Sequence, residues 1–575
     1  MPGLLVRWVS KLHHIWKGLQ VSYYGGKYSI HRLLALEAYT KNTSLGRVLI
    51  ICILTPLPMV AFVSIQALVP LQDPTAGWRS NFGFWIRSGI LSFMVAHTLT
   101  TQATYIIDDI SISSVRLAVL SACTSILFTA FAIGISAMLI FPVPFFVLTL
   151  APVFYVALII SYRIVLGITL VRQALENRDQ MLRFVCFVGA QNLMVFTYPA
   201  YETLFRVVKG SSYQIPVILL LPFIKVAVKN LVLRCMASME DMLPEAVIFT
   251  VDFFNAVYVA TCMQSANSAT AITAITVTDL SQTTFMLFGL HQRTGTILSR
   301  LCQTIDNDLD GDNLVSALCI LCRNPQKFLN QVRNNVHIRS CLPLILIGAD
   351  NELLDRLESM STRLASDTGQ LLKLASSSSV HHIDVLQVPT KKVNRKIRNM
   401  FVQKRCDTIH PLDSGDMNAT WAVKRRPVHS NPTHQSIILR ETLEALFTTE
   451  CIVVTAYLEA IVPLFYCCYM LVMTHLPSAH YHTEMTDVTP ENVGKTVIPV
   501  FVFGMLQIAT FVLLAVVIKR NCGMRILYQL AFVLETQMPL IQGKLIFWVL
   551  ITLCFRVVHF GVDFTFHFSR QGYRR

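Results

Sequence analysis

Three carboxylates stand inside runs that are otherwise apolar: Asp252 within VIFTVDFFNAVYVA, Asp279 in a threonine-rich run, and Glu459 four positions before Pro463. An ionised aspartate at the centre of a membrane helix costs about 2.5–3.5 kcal/mol, and each large apolar residue returns only about 0.3–0.6 kcal/mol. Such groups must face protein or water. With Asn255 one turn beyond Asp252, they are candidates to line a path for a proton or a cation. The competing reading is structural: each acid buries against a lysine or arginine and holds the bundle together.

Other residues carry weaker chemical patterns. His559, Asp563 and His567 stand at i, i+4 and i+8 near the C-terminus, with Arg556 about one turn earlier. On one helix they would share a face, suited to passing a proton or ligating a metal. The stretch HLPSAHYHTEM holds His475, His480, His482 and Glu484, with His480 and His482 on one face if the chain is extended. An ordinary polar loop is the favoured reading there. Asp306, Asp308, Asp310 and Gly311 open like a calcium loop, but Ala317 stands where that loop needs its bidentate glutamate. This leaves at most a weak metal contact. Cys319 and Cys322 form a C-x-x-C in apolar surroundings, which reads as buried thiols rather than zinc ligands. No G-x-S-x-G, H-E-x-x-H or strand-bound G-x-G-x-x-G occurs, so an enzyme ranks below a transporter or a receptor, and no cofactor is expected.

The elements that must position these residues are membrane helices. The 575-residue chain is 53% hydrophobic and only 14% charged, against about 25% charged in average soluble domains. Runs of spanning length are read at 48–70, 84–106, 117–141, 145–166, 184–201, 215–228, 246–263, 269–290, 451–473, 497–518 and 545–560. The fold expected is an all-α polytopic bundle of about eleven spans, ten to twelve at the limits. Residues 526–541 are left open between a surface helix and a twelfth span. Ala130, Gly134 and Ala137 offer a small-residue surface for close helix packing.

The domain plan has four parts. Residues 1–47 form an N-terminal segment with an amphipathic helix at the membrane interface. A block of about eight helices covers 48–290, a polar insert 291–440, and a block of about three helices 441–575. Lysine and arginine near span ends mark the cytoplasmic side. Arg293, Arg300, Lys424, Arg425, Arg426 and Arg440 edge the insert, and Lys225, Lys229 and Arg234 are assigned to a cytoplasmic loop. The N-terminus and insert are therefore placed in the cytoplasm, at the plasma membrane or an endomembrane. The net charge of +14 is read as loop charge facing anionic lipid rather than as nucleic-acid binding. Lys391, Lys392, Arg395, Lys396 and Arg398 are the candidate lipid contact.

The stretches YVATCMQSANSAT, LPSAHYHTEM and IKRNCGMRILYQLAFVLETQMPLIQGK resemble an uncharacterised family of multi-pass membrane proteins found in oomycetes, one with no established activity. The resemblance covers spans seven to eleven. It implies a membrane location and carries no chemistry. Two functions are weighed from the residues themselves. The first is a solute transporter or channel-like protein using intramembrane carboxylates. The second is a membrane-anchored receptor or scaffold whose insert binds partners.

Overall fold

The computed structural model of the chain describes residues 28–301, 313–324, 336–360 and 432–562, apart from isolated positions inside those ranges. The interfacial helix expected before residue 20, the acidic turn Asp306–Asp308–Asp310, the basic run 391–398, Asp563 and His567 lie outside the described residues. Sixteen helices are named here. They are α1 (Ile30–Asn42), α2 (Leu45–Leu54), α3 (Leu57–Leu68), α4 (Phe82–Ile106), α5 (Ser114–Met138), α6 (Ala151–Val165), α7 (Gly167–Glu176) and α8 (Arg178–Val207). Next come α9 (Gln214–Cys235), α10 (Leu243–Ser265), α11 (Ala269–Thr294) and α12 (Leu314–Arg323). The last four are α13 (Pro432–Met473), α14 (Val493–Cys522), α15 (Ile526–Thr536) and α16 (Met538–Cys554). No strand forms among the described residues.

Among the described residues, seven helices are long and apolar enough to cross a membrane, counting α2 and α3 as one (Leu45–Leu68), and nine if each of two bent pairs makes one span. The pairs are α6–α7, bent by 118°, and α15–α16, bent by 82°. Each of the eleven runs read from the sequence overlaps a helix, but 48–70 is divided between α2 and α3, 145–166 begins before α6, and 545–560 outruns α16, which ends at Cys554. Two of those helices, α4 and α11, are long but less apolar. Arg87, His97 and Gln102 lower the first; Asp279 and a series of threonines lower the second. The open question at 526–541 resolves into α15, which at 11 residues is too short to cross by itself.

Local chemistry sets the helix ends. Ser29, Ser44 and Ser113 each accept a hydrogen bond from a backbone N–H in the first turn of α1, α2 and α5, satisfying donors that the helix leaves orphaned. The carbonyls that end α3 face the opposite problem, and Arg87 of α4 meets it. Its guanidinium donates to Ala67 O at 3.0 Å and to Val69 O at 2.6 Å and 3.1 Å. A cation at a helix C-terminus also suits the helix dipole. The same turn presses the Pro70 carbonyl onto Gly83, where an added Cβ would lie 1.8 Å from that oxygen. The small-residue surface of α5 is different: a Cβ at Gly134 meets nothing within 4 Å, and Ala130 and Ala137 are exposed. No helix closes on that face among the described residues.

Two helices form the axis of the bundle. The membrane-length stretch of α10 is wholly buried, and most of that of α13 is too. With 42 residues, α13 runs about 63 Å, twice a hydrocarbon core of about 30 Å, so it is longer than one crossing needs. Helix α12 packs against α1, and residues 337–338 give their carbonyls to the N–H groups of Ile30 and His31 at 3.0 Å and 2.9 Å. Helix α1, unread in the sequence, is thus the seat on which the described parts of the insert rest.

Candidate functional site

Four helices bring the charged residues together. Helix α9 supplies Lys225 and Lys229, α10 supplies Asp252, α11 supplies Asp279 and α13 supplies Glu459. Lys229 Nζ lies 2.8 Å from Asp252 Oδ1, and Lys225 Nζ lies 3.4 Å from the same oxygen and 3.1 Å from Glu459 Oε1. Thr455 Oγ1, one turn before Glu459 on α13, donates to Asp252 Oδ2 at 3.1 Å. Asp279 accepts from Gln507 Nε2 of α14 at 2.5 Å and stands within electrostatic reach of Lys225 and Glu459. All three acids and both lysines are more than nine-tenths buried.

The backbone contributes to this focus. Asp252 ends a π-turn, Ile248–Asp252, set inside α10. Widening of this kind shifts the register of the side chains that follow, and it recurs at functional sites. Here it precedes Asn255, which faces a small cavity of about 30 Å³ bounded by α8, α9, α10 and α11. Asp279, Thr278, Gln282 and Tyr201 line it as well. A site needs about 10–15 Å³ on this measure to hold one water, so the cavity has room for about two.

Two further ionic layers lie along α13. Toward the insert, Arg32 Nη2 of α1 pairs with Glu450 Oε1 at 2.6 Å, and Tyr28 OH donates to Glu450 Oε2 at 3.1 Å. Toward the other end, Arg556 pairs with Glu484 and donates to Thr261 Oγ1 of α10 at 2.5 Å and to Tyr466 OH of α13 at 3.4 Å. Spacing along α13 puts Glu450 about 14 Å and Tyr466 about 10 Å from Glu459. On the same side of the central cluster as the first layer, Lys544 of α16 holds Glu245 of α10 at 2.7 Å, both fully enclosed.

The structure brings Asp252, Asp279, Glu459 and Asn255 together as the sequence suggests. It also supplies the lysine partners that the structural reading requires. Lys225 and Lys229 therefore do not belong to a cytoplasmic loop. They sit inside α9 at 7% and 5% exposure, because three nearby carboxylates make the interior a better place for an ammonium than lipid.

The stretch after α13 is also not an ordinary polar loop. It folds as two short 3₁₀ turns, Pro477–Tyr481 and Thr483–Met485, so His480 is exposed while His482 and Glu484 are buried. The two histidines do not share a face. His482 forms a bridge with Val557, and Tyr469 OH lies 3.2 Å from its Nδ1. Burial, together with the positive charges of Arg87 and Arg556, pushes its pKa down to about 3.

Helix α16 ends at Cys554, and His559 lies in a single 3₁₀ turn beyond it, its Nε2 2.6 Å from Gln72 O. Gly561 follows with φ +60 and closes against Val143 O. The helical register that would align His559 with Asp563 and His567 is thus not continuous through this stretch. Cys319 and Cys322 are enclosed thiols of α12, and no group of three metal-ligating side chains occurs among the described residues.

Arg32 and Gln507 are the participants that the sequence reading missed; Arg556 was named there only beside His559, within the run 545–560. Arg32 precedes the first apolar run and looks like an ordinary span-end charge. Gln507, inside an apolar run, was the available signal.

Comparison with family models, with curated proteins and with solved structures finds no match for this chain. The several long apolar helices are those of an integral membrane protein.

Proposed function

We propose that the chain is a transporter or channel-like protein that moves a small cation, or a solute coupled to one, through the bundle along Asp252, Asn255, Asp279 and Glu459. In this reading it crosses the membrane eleven times, α4 and α11 included. The N-terminus and the insert lie in the cytoplasm, and the run 391–398 rests on anionic lipid. One observation carries the reading: a five-membered charge cluster, joined through Asp279 to a water-sized cavity, buried among four helices. A pair kept only for cohesion needs one partner for each charge, and ionisable groups inside spans serve ion paths, proton relays and voltage sensors.

The test is electrical. Purified protein in proteoliposomes on a solid-supported membrane is given a sodium-concentration jump and a pH jump in turn. Wild-type protein is expected to carry current under at least one of the two. Asp252→Asn and Glu459→Gln should abolish it while eluting as folded protein. Unchanged currents in both variants would remove these residues from the mechanism.

The scaffold reading rests on a different observation. A cavity of about 590 Å³ opens on the insert side, lined among others by Glu37, Lys41, Arg47, Arg323, Asp350 and Glu535. This is within the size range of small-ligand pockets. Wild-type protein that carries no current under either jump, yet loses a bound partner when 368–440 is deleted, would establish the scaffold instead.

A further inference from the structure

Helix α7 continues neither of the helices it joins. Gly167 takes φ +81 at the end of α6, a left-handed turn open to glycine. The chain there swings through 118°, which is 28° past a right angle, so α7 runs across the end of α6. Asn177 ends α7 after 10 residues, and α8 departs at Arg178. A helix of that length is about 15 Å long, half of a hydrocarbon core of about 30 Å. With α6 and α8 crossing the membrane, α7 lies where one leaves the bilayer and the other returns to it.

The sequence of α7, GITLVRQALE, has two faces. At about 100° per residue, Ile168, Leu170, Val171, Ala174 and Leu175 share one arc of about 160°, and Thr169, Arg172, Gln173 and Glu176 fill the rest. The bundle covers only part of the apolar arc. Ala174, toward one side of it, is buried as α7 packs against α6 and α8. Ile168 and Leu175, at its other edge, are 65% and 56% exposed. The adjoining helices carry exposed apolar side chains toward the same end, Ile164 on α6 and Leu182 on α8. Exposed apolar side chains grouped at one end of two spans mark a membrane contact.

The charge points to the kind of lipid. Between residues 163 and 183, Arg163, Arg172, Arg178 and Arg183 stand against two acids, Glu176 and Asp179. Arg172 lies about 40° past the exposed apolar edge, where a long cationic side chain reaches from that edge up to the headgroups. It is 82% exposed, and its contact with Glu176 at 3.6 Å is in the open, so little holds it away from a phosphate.

We propose that α7 is an in-plane helix docked on anionic lipid, with Ile168 and Leu175 among the upper acyl chains and Arg172 on lipid phosphate. The surface is separate from the basic run 391–398 and from the central cluster. It rests on α6 and α8 crossing the membrane, and not on transport.

The experiment places an encoded fluorescent amino acid at position 175, or at position 173 on the opposite face, in the full chain. Both positions are exposed, so both labelled chains should fold. Each is reconstituted in phosphatidylcholine vesicles with or without phosphatidylglycerol. Quenching is by phosphatidylcholine brominated on its upper acyl chain, or by aqueous iodide. With phosphatidylglycerol present, bromine should quench the probe at 175 about threefold more than the probe at 173, and iodide should do the reverse. Omitting phosphatidylglycerol, or Arg172→Gln, should lower the bromine quenching at 175 by about half. Equal iodide quenching at the two positions would put the whole helix in water and overturn the proposal. Equal bromine quenching would overturn it by burying α7 as part of a bent span. A probe at 175 shielded from both quenchers would overturn it by placing a protein partner or a second copy there. Bromine quenching at 175 that ignores both phosphatidylglycerol and Arg172→Gln would overturn anionic lipid as the partner. None of these outcomes depends on current in the proteoliposomes, so this proposal and the transport reading fail separately.

Discussion

Glu459 of α13 accepts a hydrogen bond from Lys225 of α9 at 3.1 Å, across 234 positions of sequence. Neither residue reads as paired from its own segment. The acid looks like an isolated intramembrane charge, and the lysine looks like the end of a short span. The pairing converts two apparent defects into one joint between α9 and α13. The expected consequence for flux is given with the proposed function above.

The pair Lys544–Glu245 gives a cleaner energetic test, because each partner is 1% exposed. Removing one member leaves the other buried and unmatched, at a cost of about 3–5 kcal/mol. Lys544→Met and Glu245→Leu should each lower Tm markedly in detergent. The double variant should recover more than half of the loss. A double variant as unstable as the sum of the two singles would show that the charges do not act on each other.

His482 predicts an acid sensitivity. Its folded pKa is about 3, below the ordinary value near 6.5. The unfolded chain therefore binds the extra proton between those limits. The stability due to the neutral, buried imidazole is complete above about pH 6.5 and is lost as pH falls toward about 3, by about 1.4 kcal/mol per pH unit. Thermal unfolding of His482→Gln against pH should show a shallower acid slope than wild type. Equal slopes would mean that the imidazole escapes its enclosure before it charges.

Two glycines inside helices should respond in opposite ways to alanine. At Gly83 the new Cβ would collide with the Pro70 carbonyl, and backbone cannot swing aside as a side chain can. A loss of about 1–3 kcal/mol or more is expected. At Gly134, open space surrounds the new methyl, and alanine should gain about 0.5–1 kcal/mol through helix propensity. Comparing the two Tm values checks both; a loss at Gly134 would reveal a neighbour on that face of α5.

Orientation has its own measurement. Asn418-Ala419-Thr420 is a glycosylation acceptor within the insert. With the insert in the cytoplasm, Asn418 stays unmodified, while an acceptor engineered at residue 491 is glycosylated. A mass shift from sugar on Asn418 would invert the topology.

Much of the architecture was legible because lipid imposes a simple rule: long apolar runs become helices. Every expected run overlaps one. Asp252, Asp279 and Glu459 were legible for the same reason, since a carboxylate in such a run needs explaining. Their partners were not. Lys225 and Lys229 stand near the end of an apolar run, where a charge normally faces lipid headgroups, and only tertiary packing reveals that α9 turns them inward. His482 and Glu484 were hidden by a different ambiguity: a polar stretch between spans says nothing about whether it folds back. Helix α1 was missed because its burial depends on α12 and α13, distant in sequence.

The complete enclosure of α10 also constrains how the chain is made. A helix leaving the translocon alone meets lipid on every side, and Asp252 and Glu245 would have no counter-ion there. Helix α9 emerges just before it and carries Lys225 and Lys229 toward Asp252, so the two partition best as a hairpin, each neutralising the other. Glu245 must then wait for Lys544, which is synthesised some three hundred residues later. Until α16 arrives, the nascent protein holds a vacant slot beside its own axis, and a helix made long after that axis is the one that locks it.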